Sequence, residues 1–116
     1  MWDVEYSAAF GAWFDALSGV DQDRVEAAVE ILQELGPGLG RPFVDRIVAS
    51  RHHHLKELRP RGGHLRVLFA FDPRRVAVLL VGGDKRGRWN DWYPDAVGQA
   101  DAIYDGHLDE LNRGRR

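Results

Sequence analysis

Six consecutive positions, Val76-Ala77-Val78-Leu79-Leu80-Val81, are apolar without a break. A run this short and this rich in β-branched residues predicts a strand rather than a helix. Successive side chains of a strand point to opposite faces, so an unbroken apolar run must be buried on both. Such a strand lies inside a sheet that is covered on each side, and the rest of the chain has to supply the covering layers.

The helices that can do so are legible by period. Trp2, Val4 and Tyr6 alternate with Asp3 and Glu5, the pattern of a half-buried strand. Ser7 then stands where an N-cap belongs, and Phe10, Trp13, Phe14 and Leu17 follow at helical spacing. Ser18-Gly19 breaks that helix. Asp21 is the expected cap of a second, whose apolar face is Val25, Ala28, Val29, Leu32 and Leu35. Glu26, Glu30 and Glu34 line its opposite side, and Gly36-Pro37-Gly38 ends it. Two helices joined by so short a turn form an antiparallel hairpin.

Residues 37–54 read as a loop holding Pro42, with an extended piece around Phe43 to Val48. Leu55 to Arg59 is the next strand, ended by Pro60 and turned by Gly62-Gly63. In the strand after it, Leu65, Val67, Phe69 and Phe71 alternate with Arg66, Leu68 and Ala70. Asp72-Pro73-Arg74 turns into the apolar run, which Gly82-Gly83-Asp84-Lys85 ends. Pro94 suits the first turn of a last helix, striped by Val97, Ala100, Ile103, Tyr104, Leu108 and Leu111, and residues 113–116 read as a frayed tail. The order β-α-α-β-β-β-α predicts one α+β domain over residues 1–116. Its antiparallel sheet carries the N-terminal helical hairpin on one face, followed by the C-terminal helix.

Charge is distributed unevenly behind a net value of −2. Residues 1–50 hold three arginines against nine carboxylates, whereas residues 51–90 hold ten Lys and Arg against Glu57, Asp72 and Asp84. A concentrated basic segment on an otherwise acidic body predicts a face that meets a polyanion. There is no cysteine, so disulfides and thiolate metal sites are excluded, and no apolar run is long enough to span a bilayer. The N-terminus lacks the basic-then-apolar pattern of a signal peptide, and a cytoplasmic protein without a membrane partner is expected.

The stretch from Arg51 to Leu111 resembles the RelE/HigB superfamily of toxins, and within it the phage-derived Gp49-like HigB branch. The likeness is carried by "LKELR", "RVLFAFDPRR", "LLVGGDK" followed by aromatic residues, and "ADAIYDGHLDEL", with "LGPGLGRPFVDRI" before them. The resemblance implies a RelE-like fold and the toxin of a type II toxin–antitoxin pair. It further implies an endoribonuclease that cuts mRNA on the ribosome, and a helix-turn-helix, HigA-like antitoxin as partner. The toxin alone is expected to be monomeric, and oligomeric with its antitoxin.

RNA cleavage without a metal needs a base for the 2′-hydroxyl, an acid for the leaving 5′-oxygen and cations for the phosphorane. Arg66 is the first candidate for such a cation, because its strand parity turns it away from Leu65, Val67 and Phe69, and because the "RVLF" arginine matches a recurring functional position of the superfamily. Arg59 and Lys56 stand at opposite parities and should not share a pocket; Arg59 is preferred as catalytic, with Glu57 at its parity as a simple ion-pair partner, and Lys56 as an RNA contact. Lys85 leaves the apolar strand in "GGDK", where glycines permit close approach of a ligand, and can touch phosphate or move a proton.

His54 or His64 can act as acid or base. The contiguous His52-His53-His54 makes a poor three-ligand site, so neither a metal nor another cofactor is expected. Arg61, Arg86 and Arg88 extend the basic surface, and Trp89 and Tyr93 can stack on bases, while Trp92 or Tyr93 can equally dock the last helix. Two other functions fit the same chain. One is a ParE-like toxin that acts on a DNA-processing enzyme by protein contacts; the other is a module that binds RNA or antitoxin without cutting.

Overall fold

The structure, a computed structural model, describes residues 1–52, 54–86 and 89–114, and in residues 89–91 the backbone alone. Its elements in chain order are β1 (Val4–Tyr6), α1 (Ala8–Asp15), α2 (Gly19–Leu35), a 3-10 turn (Gly36–Gly38), β2 (Val44–Arg46), β3 (Leu55–Leu58), β4 (Leu65–Phe71), β5 (Ala77–Asp84) and α3 (Trp89–Gly114). The α+β class and the placing of the helical hairpin follow the expectation. One strand is added, since the extended piece after Pro42 pairs as β2.

The five strands lie in the order β1-β5-β4-β3-β2. From β2 to β5 the sheet is an antiparallel meander, but β1 runs parallel to β5, with Val4 opposite Ala77 and Tyr6 opposite Leu79. The sheet is therefore mixed rather than purely antiparallel. A parallel pair needs a long crossover, and the whole of α1 through β4 supplies it.

The all-apolar run lies inside the sheet as predicted, between β1 and β4. Side chains of β4 and β5 sort between two cores. Leu65, Val67, Phe69, Ala77 and Leu79 meet Phe10, Val25, Ala28 and Leu32 of the hairpin. Leu68, Ala70, Val78, Leu80 and Val81 meet Ala96, Val97, Ala100 and Tyr104 of α3. Leu80 and Val81 are sequence neighbours on one face because the β4–β5 register slips between Leu68 and Phe69. Beside this slip the Ser7 hydroxyl donates to the Leu80 carbonyl (2.6 Å) and accepts from the Phe10 amide (3.0 Å), so the α1 cap also ties α1 to the sheet.

Four local expectations need correction. Ser18, not Asp21, caps α2, because its hydroxyl accepts from the Asp21 amide at 3.2 Å while Asp21 turns to Arg24 and His64. The strand expected over Leu55 to Arg59, β3, ends at Leu58, one residue before Arg59. The last helix starts five residues ahead of Pro94 and carries it inside. Trp92 and Tyr93 extend the apolar stripe back by a turn and pack on the α3-side core, which favours helix there despite the missing amide hydrogen. Residues 113–114 also belong to α3.

Candidate nucleic-acid cleft

Where β3 and β4 reach the β3–β4 turn, α3 leaves the sheet face partly open. The cleft there, about 300 Å³, is lined by Arg46, Glu57, Arg59, Arg66, Lys85 and Tyr93. Its floor follows from strand parity. Leu55 and Leu68 point into the α3-side core, so Glu57 and Arg66, two residues along from each, point to the same side.

Asp45 and Glu57 are register partners across β2 and β3, a pairing of like charges that is unfavourable alone. Arg59 bridges them: its Nε donates to Glu57 Oε2 at 2.9 Å and its Nη2 to Asp45 Oδ2 at 3.2 Å. Asp45 also pairs with Arg41 at 3.0 Å. The Arg46 amide and Arg41 hold its carboxyl below the ordinary carboxylate range. Glu57 is 6% exposed and Arg66 9%, both low for charged residues.

Arg66 is fixed in two directions. Its Nη1 donates to the carbonyl oxygens of Leu65 (2.8 Å) and Gly63 (3.0 Å), and its Nε lies 3.7 Å from Glu57 Oε2. Burial lowers its pKa and Arg59 adds to that, while Glu57 opposes both; an arginine keeps its charge under such shifts. Tyr93 borders the cleft from α3. Burial first, and then the Glu57 charge, raise its pKa, so the hydroxyl stays neutral and able to donate. Lys85 is exposed at the rim, and its backbone amide donates to the His64 carbonyl at 2.7 Å.

Arg66, Arg59, Lys85 and Tyr93 of the expected site residues therefore come together. The others do not. His64 faces the hairpin side, where its Nε2 meets Asp21 Oδ1 at 3.1 Å. His54 and Lys56 line a separate groove with Phe71, Arg75 and Tyr104, and the Lys56 ammonium lies 5.8 Å from the Phe71 ring centre. Arg61 borders a third groove with Arg24 and Phe43. Arg86, 68% exposed in its side chain, is held by Asp84 at 2.6 Å. Arg88 and the Trp89 side chain lie outside the described residues.

Two further expectations change. The glycines after the apolar strand seat tryptophans rather than a ligand: a Cβ on Gly82 would come within 2.1 Å of Trp13, and one on Gly83 within 2.1 Å of Trp92. Glu57 does pair with Arg59, yet it also lines the cleft and lies 3.7 Å from Arg66. Arg46 carries no sequence signal of its place in the cleft, since a three-residue strand in a loop-like stretch has no usable period. Among the described residues no group of three or more His, Cys, Asp or Glu is placed to hold a metal ion.

Comparison with known proteins agrees with this architecture. Residues 12–105 match the family model described as phage derived protein Gp49-like. The chain is 45% identical over 109 residues to HigB2 of Mycobacterium tuberculosis, covering 91% of this chain and 53% of that protein. It is 49% identical over 89 residues to HigB3 of the same organism, covering 77% and 78%. The names of both relatives designate them toxins, and this chain spans about half the length of HigB2.

Among solved structures, the RelB–RelE antitoxin–toxin complex of Methanococcus jannaschii aligns with a TM-score of 0.59 at 12% identity, over 78% of this chain and 99% of that one. The RelE–RelB complex of Pyrococcus horikoshii OT3 aligns at 0.56 and 20% identity, over 73% and 96%. At such identities the structures establish a shared fold and nothing finer. Together with the family match and the two HigB relatives, they show that the chain belongs to the phage-derived Gp49-like family of HigB proteins, on a RelE-like fold.

Proposed function

We propose that the protein is the toxin of a type II toxin–antitoxin pair and an endoribonuclease that cuts mRNA on the ribosome. The observation that carries the proposal is the convergence of Arg59, Arg66 and Lys85 with Tyr93 in one cleft. The relatives' toxin names and the RelE-like fold support it.

In this reading a phosphodiester enters the cleft and Arg66 meets the non-bridging oxygens. Its Nη1 hydrogen bonds to Gly63 and Leu65 hold the guanidinium still, so little reorganisation accompanies the charge that develops on the phosphorane. Arg59 takes a second oxygen, and Lys85 supplies a mobile ammonium at the rim. Tyr93 donates a hydrogen bond or stacks on a base. Lys56, Arg61 and Arg86 then contribute to holding RNA outside the cleft. The partner that restrains the toxin is a HigA-like helix-turn-helix antitoxin, and the setting is the cytoplasm. No helix among the described residues is long and apolar enough to cross a membrane.

The test is primer extension on an mRNA carried by programmed ribosomes, with parallel reactions lacking ribosomes and with EDTA added. Cuts within the ribosome-held codon that persist in EDTA and need the ribosome are expected. Well-folded protein that makes no cuts would favour the non-nuclease functions, a ParE-like poison or a binding module.

A further inference from the structure

Among the described residues that line the cleft, Glu57 carries the carboxylate, and its burial needs a reason. A buried carboxylate is costly unless hydrogen-bonded and paired. Its partners are Arg59 at 2.9 Å and Arg66 at 3.7 Å, the two cations that an incoming phosphate would claim. Arg59 has Asp45 as a second anchor, and Arg66 has the Gly63 and Leu65 carbonyls. Both arginines therefore keep their place when they turn from Glu57 to phosphate oxygens. Such an exchange would free the Glu57 oxygens inside the cleft that Arg59, Arg66 and Lys85 line with it.

We propose that Glu57 is the general base of RNA cleavage and takes the proton of the attacking 2′-hydroxyl; this rests on the endoribonuclease reading above. The 2′-oxygen gives its proton to a Glu57 oxygen and forms its bond to phosphorus. The bond from phosphorus to the 5′-oxygen breaks, and the leaving oxygen takes a proton from the Lys85 ammonium. The products are a 2′,3′-cyclic phosphate and a 5′-hydroxyl end, and exchange with water restores both side chains. Among the described residues, the groups that share the cleft or pair with Glu57 are Asp45 and Arg46 of β2, Arg59 beyond β3, Arg66 of β4, Lys85 after β5 and Tyr93 of α3.

The experiment is single-turnover cleavage on programmed ribosomes across pH, for wild type, Glu57→Gln and Glu57→Asp, with thermal melts beside them. The wild-type rate should climb tenfold per pH unit on the acid side and then level. Glu57→Gln should lose that acid limb and fall by about a hundred- to ten-thousandfold. Glu57→Asp keeps the charge between the arginines, so it serves even where the amide does not fold. It should keep the limb with a plateau on the order of a hundredfold lower, because the carboxylate is drawn back by one methylene. A Glu57→Gln rate near wild type with the limb intact, or a wild-type plateau in Glu57→Asp, overturns the role while the nuclease stands. A wild type that cuts nothing overturns the nuclease and the role together.

Discussion

The Arg66 guanidinium reaches Glu57 Oε2 at 3.7 Å with its Nε while its Nη1 holds the Gly63 and Leu65 carbonyls. One planar group thus joins the β3–β4 turn to the cleft carboxylate. A lysine has one ammonium on a flexible stem and cannot serve both directions at once. Arg66→Lys should keep its positive charge and its fold yet lose roughly a hundredfold in cleavage rate. A quench-flow time course beside a melting curve checks this, and a near-native rate would mean that charge alone suffices.

Lys56 and Arg59 are three residues apart and serve different surfaces, since Lys56 lies over the Phe71 ring beside His54. Alanine at Lys56 or His54 should leave the bound-state cleavage rate unchanged. Any loss should appear as weaker RNA affinity, with the dependence on salt reduced by about one ion for Lys56. Titration of labelled RNA at several salt concentrations separates the two effects. A lowered cleavage rate at saturation in either variant would place catalysis in the wrong groove.

Asp72 anchors the β4–β5 turn. Its carboxylate accepts from His107 Nε2 at 2.8 Å, from Arg74 Nη2 at 2.8 Å and from the Arg74 and Val76 amides, and its side chain is fully buried. Burial alone would raise its pKa, but these hydrogen bonds outweigh burial and hold it below the ordinary value of 3.8. A depressed carboxylate stabilises the fold above its unfolded pKa, and that contribution disappears as pH falls through the folded value. Thermal stability should therefore drop below about pH 4. Asp72→Asn should remove part of that drop and cost roughly 1.5–3 kcal/mol at neutral pH, most of it from the buried contacts rather than the half-exposed Arg74. Melts of both proteins from pH 3 to 7 provide the check.

Gly82 and Gly83 meet tryptophans on opposite faces of the sheet, Trp13 below and Trp92 above. A methyl group at either place overlaps an indole ring and forces it off its seat. Gly83→Ala should cost about 1–3 kcal/mol and disturb the start of α3. Because Tyr93 follows Trp92 directly, cleavage should fall as well. Chemical denaturation of Gly83→Ala and Gly82→Ala tests this, and a neutral result at Gly83 would show that Trp92 does not dock there.

Much of this architecture was legible in the sequence because alternation is a local property. The side on which Arg66 lies follows from Leu65, Val67 and Phe69, and the separation of Lys56 from Arg59 follows from one strand's parity. His64 escaped that logic. It sits directly after the Gly62-Gly63 turn, where backbone with positive φ breaks the alternation, and it turns to Asp21 instead of the cleft. The Glu57–Arg59 pair follows from shared parity, but Asp45 as Arg59's second partner could not be read, since it depends on the register of a three-residue strand against β3. The Gly-Gly pair signalled that something approaches the backbone closely. Glycine requires the same space whether a ligand or a tryptophan fills it.

The cleft between β3, β4 and α3 is the proposed place where RNA is cut. Single-turnover cleavage by Arg66→Ala on programmed ribosomes, with a melting curve to confirm the fold, tests that most directly. A folded variant that cuts about a hundred- to a thousandfold more slowly than wild type is the predicted result. A folded variant that cuts at the wild-type rate would contradict it and move the chemistry to another part of the surface.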